Sequence, residues 1–135
     1  MKLKTKFLIA AAAAFASTAA VAGFQQPAPV DVDLVNRFAQ GDMVTAQQAK
    51  DDITYIGCGI RKISTGGGIV TTGFCQARDA DNEQFTCFTQ DADLLDATSS
   101  TADFSFITFS WNEDGECTRI GNSTQSFYLT KNMVK

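Results

Sequence analysis

Four cysteines constrain the fold of this chain more than any other feature of its sequence: Cys58, Cys75, Cys87 and Cys117. Their number is even, and none of them forms a Cys-x-x-Cys motif. Because the chain also contains no His, the sequence gives little support to a metal–thiolate site or a redox pair. We therefore predict two disulfides, which small exported domains use where their hydrophobic core is limited.

The glycines between the first two cysteines favour one disulfide pairing. A two-residue hairpin turn at Gly66–Gly67 places Cys58 directly opposite Cys75. Counted back from that turn, the two cysteines form a pair without hydrogen bonds, in which Cα atoms approach to ~4.5 Å, a separation that a disulfide accepts. Cys87 is then left to pair with Cys117, and we favour this arrangement.

A second register gives the competing pairing. A three-residue loop at Ala80–Asn82 places Cys75 opposite Cys87 and leaves Cys58 for Cys117. We rank this pairing lower because the Gly-Gly turn is the better-defined hairpin signal.

Residues 1–22 have the three parts of a secretory signal peptide. Lysines at positions 2, 4 and 6 precede the apolar segment Phe7–Ala16, and Ala20–Ala22 supplies the small residues of a cleavage site. The apolar segment is shorter than the ~20 residues that span a bilayer, and no later segment is apolar enough to do so. The alanine-rich signal is of the bacterial style, so we expect export to the periplasm or the culture medium. We expect no transmembrane segment in the mature chain.

Removal of the signal would make the chain more acidic. Three of the 11 basic residues lie within it and none of the 15 acidic ones, so the net charge changes from −4 to −7. Nucleic acid is excluded as a partner, because binding to phosphates needs clustered Lys and Arg. On net charge alone, neutral or cationic partners are favoured.

The mature chain divides into two predicted parts. Residues 23–42 are predicted to be a flexible leader, since Gly23–Asp33 holds both prolines and has no regular periodicity. Residues 43–135 are predicted to form a single disulfide-bonded β domain. The structure of Leu34–Lys50 is left open. Leu34, Val35 and Phe38 could form a short helix after Asp33, and Thr45–Lys50 could be one helical turn or an edge strand.

From Ile53 onward the sequence predicts short strands separated by turns. The candidate strands are Ile53–Ile63, Ile69–Ala77, Gln84–Thr89, Phe104–Trp111, Cys117–Ile120 and Ser126–Leu129. Asp91–Ala97 interrupts them as a short helix. The predicted fold is mainly β: a small antiparallel sheet of about five to six strands, sandwich- or meander-like, with one short helical insertion and two disulfides.

Carboxylates are the remaining candidates for chemistry. Asp79, Asp81 and Glu83 alternate along the chain and could ligate Ca²⁺, although the EF-hand pattern is not met. The alternative is a hairpin turn, which also favours Asp. Without His, the Ser-His-Asp and Cys-His systems are excluded, and we predict no catalytic residue, no bound metal and no cofactor.

The function that remains is binding. We expect a non-catalytic interaction module for an unknown protein, glycan or surface ligand. The alternative is a small exported hydrolase or a protease-inhibitor-like effector, for which the turn Ser64–Gly68 is the candidate loop. A glycine-rich loop is poorly preorganised for inhibition, which counts against the alternative.

Overall fold

The computed structural model describes residues 23–130. The predicted signal peptide lies outside the described residues, as do residues 131–135. The elements in chain order are β1 Asp31–Asp33, β2 Phe38–Asp42, α1 Met43–Gln47, β3 Tyr55–Thr65, β4 Gly68–Arg78, β5 Gln84–Thr89, α2 Ala92–Ser99, β6 Phe106–Trp111, β7 Cys117–Ser123 and a 3₁₀ turn at Ser126–Tyr128.

The strands form two antiparallel sheets, which confirms the mainly β prediction. One sheet has the order β1-β2-β6-β7, and the other is the meander β3-β4-β5. The core lies between them: Ile107 and Phe109 of β6 and Ala77 of β4 are fully buried. Phe85 of β5 stacks on Trp111 of β6 with ring centroids 4.2 Å apart, so aromatic packing joins the sheets.

The predicted flexible leader is wrong from Asp31 onward. The strands β1 and β2 pair with each other, and β2 also pairs with β6, so this segment forms half of the four-stranded sheet. Val32 is 2% exposed and Ala39 is fully buried. The strands escape detection because they are short, whereas the more apolar Leu34 and Val35 lie exposed in the turn between them.

The helix α1 begins at a buried carboxylate. Asp42 is fully buried, and its side chain accepts hydrogen bonds from the Ala28 N–H, the Thr45 N–H and the Thr45 hydroxyl. A buried charge is costly unless it is hydrogen-bonded in this way. The same residue therefore caps the helix and holds the N-terminal segment against the sheet.

The predicted helical insertion is confirmed as α2. Asp91 is its N-cap and accepts hydrogen bonds from the N–H groups of Asp93 and Leu94. The helix lies close against β4, where a Cβ added at Gly73 would meet a methyl carbon of Leu95 at 3.0 Å. The predicted strand Ser126–Leu129 is wrong, because a 3₁₀ turn occupies Ser126–Tyr128.

Both favoured disulfides are present. Cys58–Cys75 joins β3 to β4 with a Cα–Cα distance of 4.1 Å, and Cys87–Cys117 joins β5 to β7 at 5.0 Å. The second bond therefore links the two sheets.

The two registers that competed in the sequence coexist in the structure. On β4, Cys75 lies opposite Cys58 on one side and opposite Cys87 on the other. The close approach to Cys58 is typical of a pair without backbone hydrogen bonds, and the pair with Cys87 is then the wider, hydrogen-bonded kind. The disulfide forms where the Cα atoms are closest.

Candidate binding surface

The hairpin β3–β4 extends beyond the rest of its sheet. The third strand, β5, ends at Thr89, opposite Gly73 of β4. Every residue from 61 to 70 is exposed. We call residues 61–70 the projecting hairpin, and we call the sheet surface turned away from the core the outer face.

Three aliphatic side chains lie in solvent on the projecting hairpin. Ile63 is 57% exposed, Ile69 64% and Val70 42%. Ile63 and Val70 are cross-strand partners and share the outer face, whereas Ile69 points to the opposite face. Single exposed aliphatic residues are common. Ile63 and Val70 together form an exposed apolar pair on the outer face, which makes this surface a candidate for binding.

Aromatic and cationic side chains continue this surface toward the body of the protein. The Phe74 ring lies over Gly59, so closely that a Cβ there would meet its Cζ atom at 2.9 Å. The Arg61 guanidinium lies 5.0 Å from the centre of the same ring, within cation–π range. Phe88 of β5, 51% exposed, has its ring centroid 6.5 Å from that of Phe74.

The charge of the whole β3–β4 hairpin is opposite in sign to that of the remaining protein. Residues 55–78 contain three cations, Arg61, Lys62 and Arg78, and no acidic residue. The other described residues contain three cations and all 15 acidic residues. A charge distribution of this kind creates local fields that the net charge conceals.

The three calcium candidates do not form a site in the described part of the chain. Asp79 is 7% exposed, and one of its oxygens accepts the N–H groups of Asp81 and Glu83, each at 3.0 Å. Its other oxygen accepts the Val32 N–H of β1 at 3.2 Å. The carboxylate therefore organises the β4–β5 turn and joins it to the other sheet. No cluster of metal-binding side chains occurs within residues 23–130.

Two clefts of about 350 Å³ lie outside the projecting hairpin. The first is lined by Thr72, Phe88, Thr89, Gln90, Asp91, Glu116 and Cys117, and the second by Met43, Val44, Gln47, Gln48, Asp103 and Phe104. The first cleft contains the carboxylates of Asp91 and Glu116, but Oδ1 of Asp91 accepts the N–H groups of Asp93 and Leu94 at the start of α2. Phe104 has a positive φ of 60°, a strained conformation for an aromatic residue.

Two carboxyl groups have shifted pKa values, and both lie in turns. The Thr54 N–H, the Thr54 hydroxyl and the Ile53 N–H hold the pKa of Asp51 below its usual 3.8. The Asn36 N–H and side-chain amide similarly lower the pKa of Asp33. These shifts arise from turn hydrogen bonds rather than from a catalytic arrangement.

The residues predicted as candidates have different roles in the structure. The turn Ser64–Gly68 is the tip of the projecting hairpin, with Thr65 and Gly68 as its last paired residues. The exposed Ile63, Ile69 and Val70 were not identified from the sequence. Their signal was present in the adjacent Ile69 and Val70, because neighbouring strand residues point to opposite faces and cannot both enter one core.

Comparisons with protein-family models, curated proteins and solved structures find no match to this chain. Across residues 23–130, none of the helices has the length and apolar character needed to cross a bilayer.

Proposed function

We propose that this protein is an exported, non-catalytic binding module whose ligand contacts the projecting hairpin. The observation that carries the proposal is the exposure of Ile63, Ile69 and Val70 on one protruding element. Burying these side chains against a ligand would release water from apolar surface, the main favourable contribution to association. The two disulfides fit an oxidising compartment outside the cytoplasm.

The base of the hairpin supports this role because it is held rigidly. The Cys58–Cys75 bond crosses the two strands, and Cys75 itself is fully buried. A surface whose conformation is fixed before binding loses less entropy when the ligand docks. The hairpin therefore presents its exposed side chains from an anchored platform.

No observation favours the alternative functions. A protease inhibitor needs an extended loop to fill a protease cleft, whereas the turn between Thr65 and Gly68 contains only two residues. A hydrolase needs an acid, a base or a nucleophile aligned in a cleft. In the first cleft the two carboxylates have other partners: Asp91 caps α2, and Glu116 accepts a hydrogen bond from the side-chain amide of Asn112.

Substitution of the hairpin side chains tests the proposal. The mature, oxidised protein is immobilised and exposed to periplasmic and culture-medium fractions of its source. We expect the triple variant Ile63→Ser, Ile69→Ser, Val70→Ser to lose specific capture of the ligand. The matched control is Leu34→Ser, Val35→Ser, which removes exposed aliphatic side chains from the β1–β2 turn.

Thermal unfolding verifies that both variants remain folded. Capture that is retained by the hairpin variant, or lost equally in both variants, would contradict the proposal.

A further inference from the structure

One edge of the strand β3 has no hydrogen-bonding partner within residues 23–130. The strand pairs only with β4, and no other backbone hydrogen bond involves it. Because the Cys58–Cys75 pair is of the non-hydrogen-bonded kind, the N–H and C=O of Cys58 point away from β4. The backbone alternates, so those of Ile60, Lys62 and Ser64 point the same way.

Of the features that protect sheet edges, this edge has charged side chains, Arg61 and Lys62, but neither a short length nor an interruption. Protected edge strands are short, charged, or interrupted by proline or a bulge. The strand β3 has 11 residues without proline, and its register with β4 is continuous. Toward the tip, from Arg61 onward, the strand is fully exposed, so a further strand can approach it.

The outer face beside this edge is open. Gly57 has nothing within 4 Å of an added Cβ, and Gly59 is covered only by the Phe74 ring. Alternate side chains of an added strand would point to this face, near Ile63 and Arg61. The edge therefore offers backbone hydrogen bonds, with Ile63 and Arg61 on the outer face and Lys62 on the opposite face.

Charge selects among the strands that could add here. Arg61 and Lys62 lie midway along the accessible edge, and neither β3 nor β4 contains an acidic residue. A second copy of β3, paired antiparallel about the middle of the accessible edge, would bring Arg61 opposite its own copy, and like charges across strands are destabilising. An acidic strand would instead be attracted. The net charge of the protein predicted neutral or cationic partners, but the local positive charge at this edge favours an anionic partner.

We propose that β3 binds an extended, acidic peptide segment of a partner protein as an added strand, along the edge from Cys58 to Ser64. This inference rests on the proposed binding function and specifies its ligand. Strand addition is an established mode of peptide recognition, in which backbone hydrogen bonds give affinity and alternate side chains give specificity.

Selection from random peptides tests the chemistry without assuming a sequence. The mature, disulfide-bonded protein is used to select from a display library of short random peptides. We expect enrichment of proline-free sequences in which aliphatic residues alternate with Asp or Glu. Enrichment of basic sequences, or of none, would overturn the proposal. Binding to phosphatidylglycerol vesicles without peptide enrichment would assign the surface to lipid instead.

Hydrogen exchange locates the added strand. With a selected peptide bound, the amides of Ile60, Lys62 and Ser64 should become protected, whereas those of the alternate residues are already protected by β4. Protection of other surfaces with no change at these amides would disprove strand addition.

Two substitutions separate the contribution of backbone hydrogen bonds to peptide binding from the contribution of charge. Ser64→Pro removes an N–H that points away from β4, so the hairpin keeps its own hydrogen bonds while the peptide loses one. We expect about tenfold weaker binding than for the control Ser64→Ala, which keeps the N–H. Lys62→Glu, made separately, should weaken binding ~tenfold at low salt. Lys50→Glu, which changes an exposed lysine outside the hairpin, should have a much smaller effect.

The experiments distinguish this inference from the proposed function. If the natural ligand depends on Ile63, Ile69 and Val70 but Ser64→Pro binds it normally, the binding module stands and strand addition fails. If the triple hairpin variant captures the ligand normally, the proposed function fails as well.

Discussion

The two ends of the β3–β4 hairpin consist of the same two strands but differ in what surrounds them. At the base, Ile56 is 7% exposed, and Cys75 and Ala77 are fully buried against the other sheet. At the tip, all residues from 61 to 70 are exposed. The base therefore contributes to folding stability, whereas the tip is available to a ligand at little cost to that stability.

The point at which β5 ends determines this difference in exposure. Beyond Thr89 the chain leaves β5, and the side chain of Asp91 caps the helix α2 two residues later. The helix covers the inner surface at Gly73, and among residues 23–130 no third strand continues alongside residues 68–72. In this part of the chain, helix capping at Asp91 thus leaves the far half of the hairpin without a third strand beside it.

Removal of the disulfides should have the largest effect on stability. The Cys87→Ala, Cys117→Ala variant loses the bond between the sheets, and we expect its free energy of unfolding to fall by about 4 kcal/mol. Cys58→Ala, Cys75→Ala should lose less, about 3 kcal/mol, because its loop is shorter: 17 residues against 30. Urea unfolding of both variants measures the difference. A larger loss at Cys58–Cys75 would show that the base of the hairpin, not the link between the sheets, limits stability.

Matched isoleucine substitutions compare base and tip directly. Ile56→Ala removes a buried side chain at the base and should cost about 3 kcal/mol in unfolding free energy. Ile69→Ala makes the same change at the tip, where the side chain is 64% exposed, and should change stability by less than ~0.5 kcal/mol. Urea unfolding measures both. Equal effects would mean that Ile69 is buried in solution and that the tip is not a free surface.

The register of the hairpin was predictable because it is a local property. The Gly66–Gly67 turn sets which residues face each other, and from it follow the Cys58–Cys75 pair and, by elimination, the second disulfide. The other sheet was harder to predict. The strand β1 has only three residues; it pairs with the neighbouring β2, and its Val32 N–H is bound by the Asp79 carboxylate 47 residues away.

The candidate binding surface was predictable only in part, because the adjacent Ile69 and Val70 indicate that one of the two lies outside the core but not that both are exposed. Ile63, Ile69 and Val70 have the residue types of ordinary strand interiors, and their exposure depends on where β5 ends. That end point is set by tertiary structure around α2. The absence of acidic residues from 55 to 78 was visible in the sequence, but its meaning required knowing that these residues form one hairpin.

Asp79 tests how firmly the base of the hairpin is joined to the rest of the protein. Asp79→Ala would leave the N–H groups of Val32, Asp81 and Glu83 without their acceptor, and we expect a loss of about 2 kcal/mol. The exposed Asp81→Ala is the control and should be nearly neutral. Urea unfolding measures both variants. If calcium raised the melting temperature of the wild type but not of Asp79→Ala, Asp79 would be a metal ligand rather than a turn residue.

The smallest effect is expected from Asp51, which lies in the turn that leads into the base of β3. Hydrogen bonds from Thr54 and Ile53 lower the pKa of this carboxyl in the folded state. A lowered pKa contributes stability that is present above the unfolded value of 3.8 and is lost as the pH falls through the folded value. Asp51→Asn should therefore melt slightly below the wild type at neutral pH, and the gap should narrow as the pH falls below about 4. Melting curves across this range test the sign, because a gap that is constant or widens in acid would mean that the turn is held without the charge of Asp51.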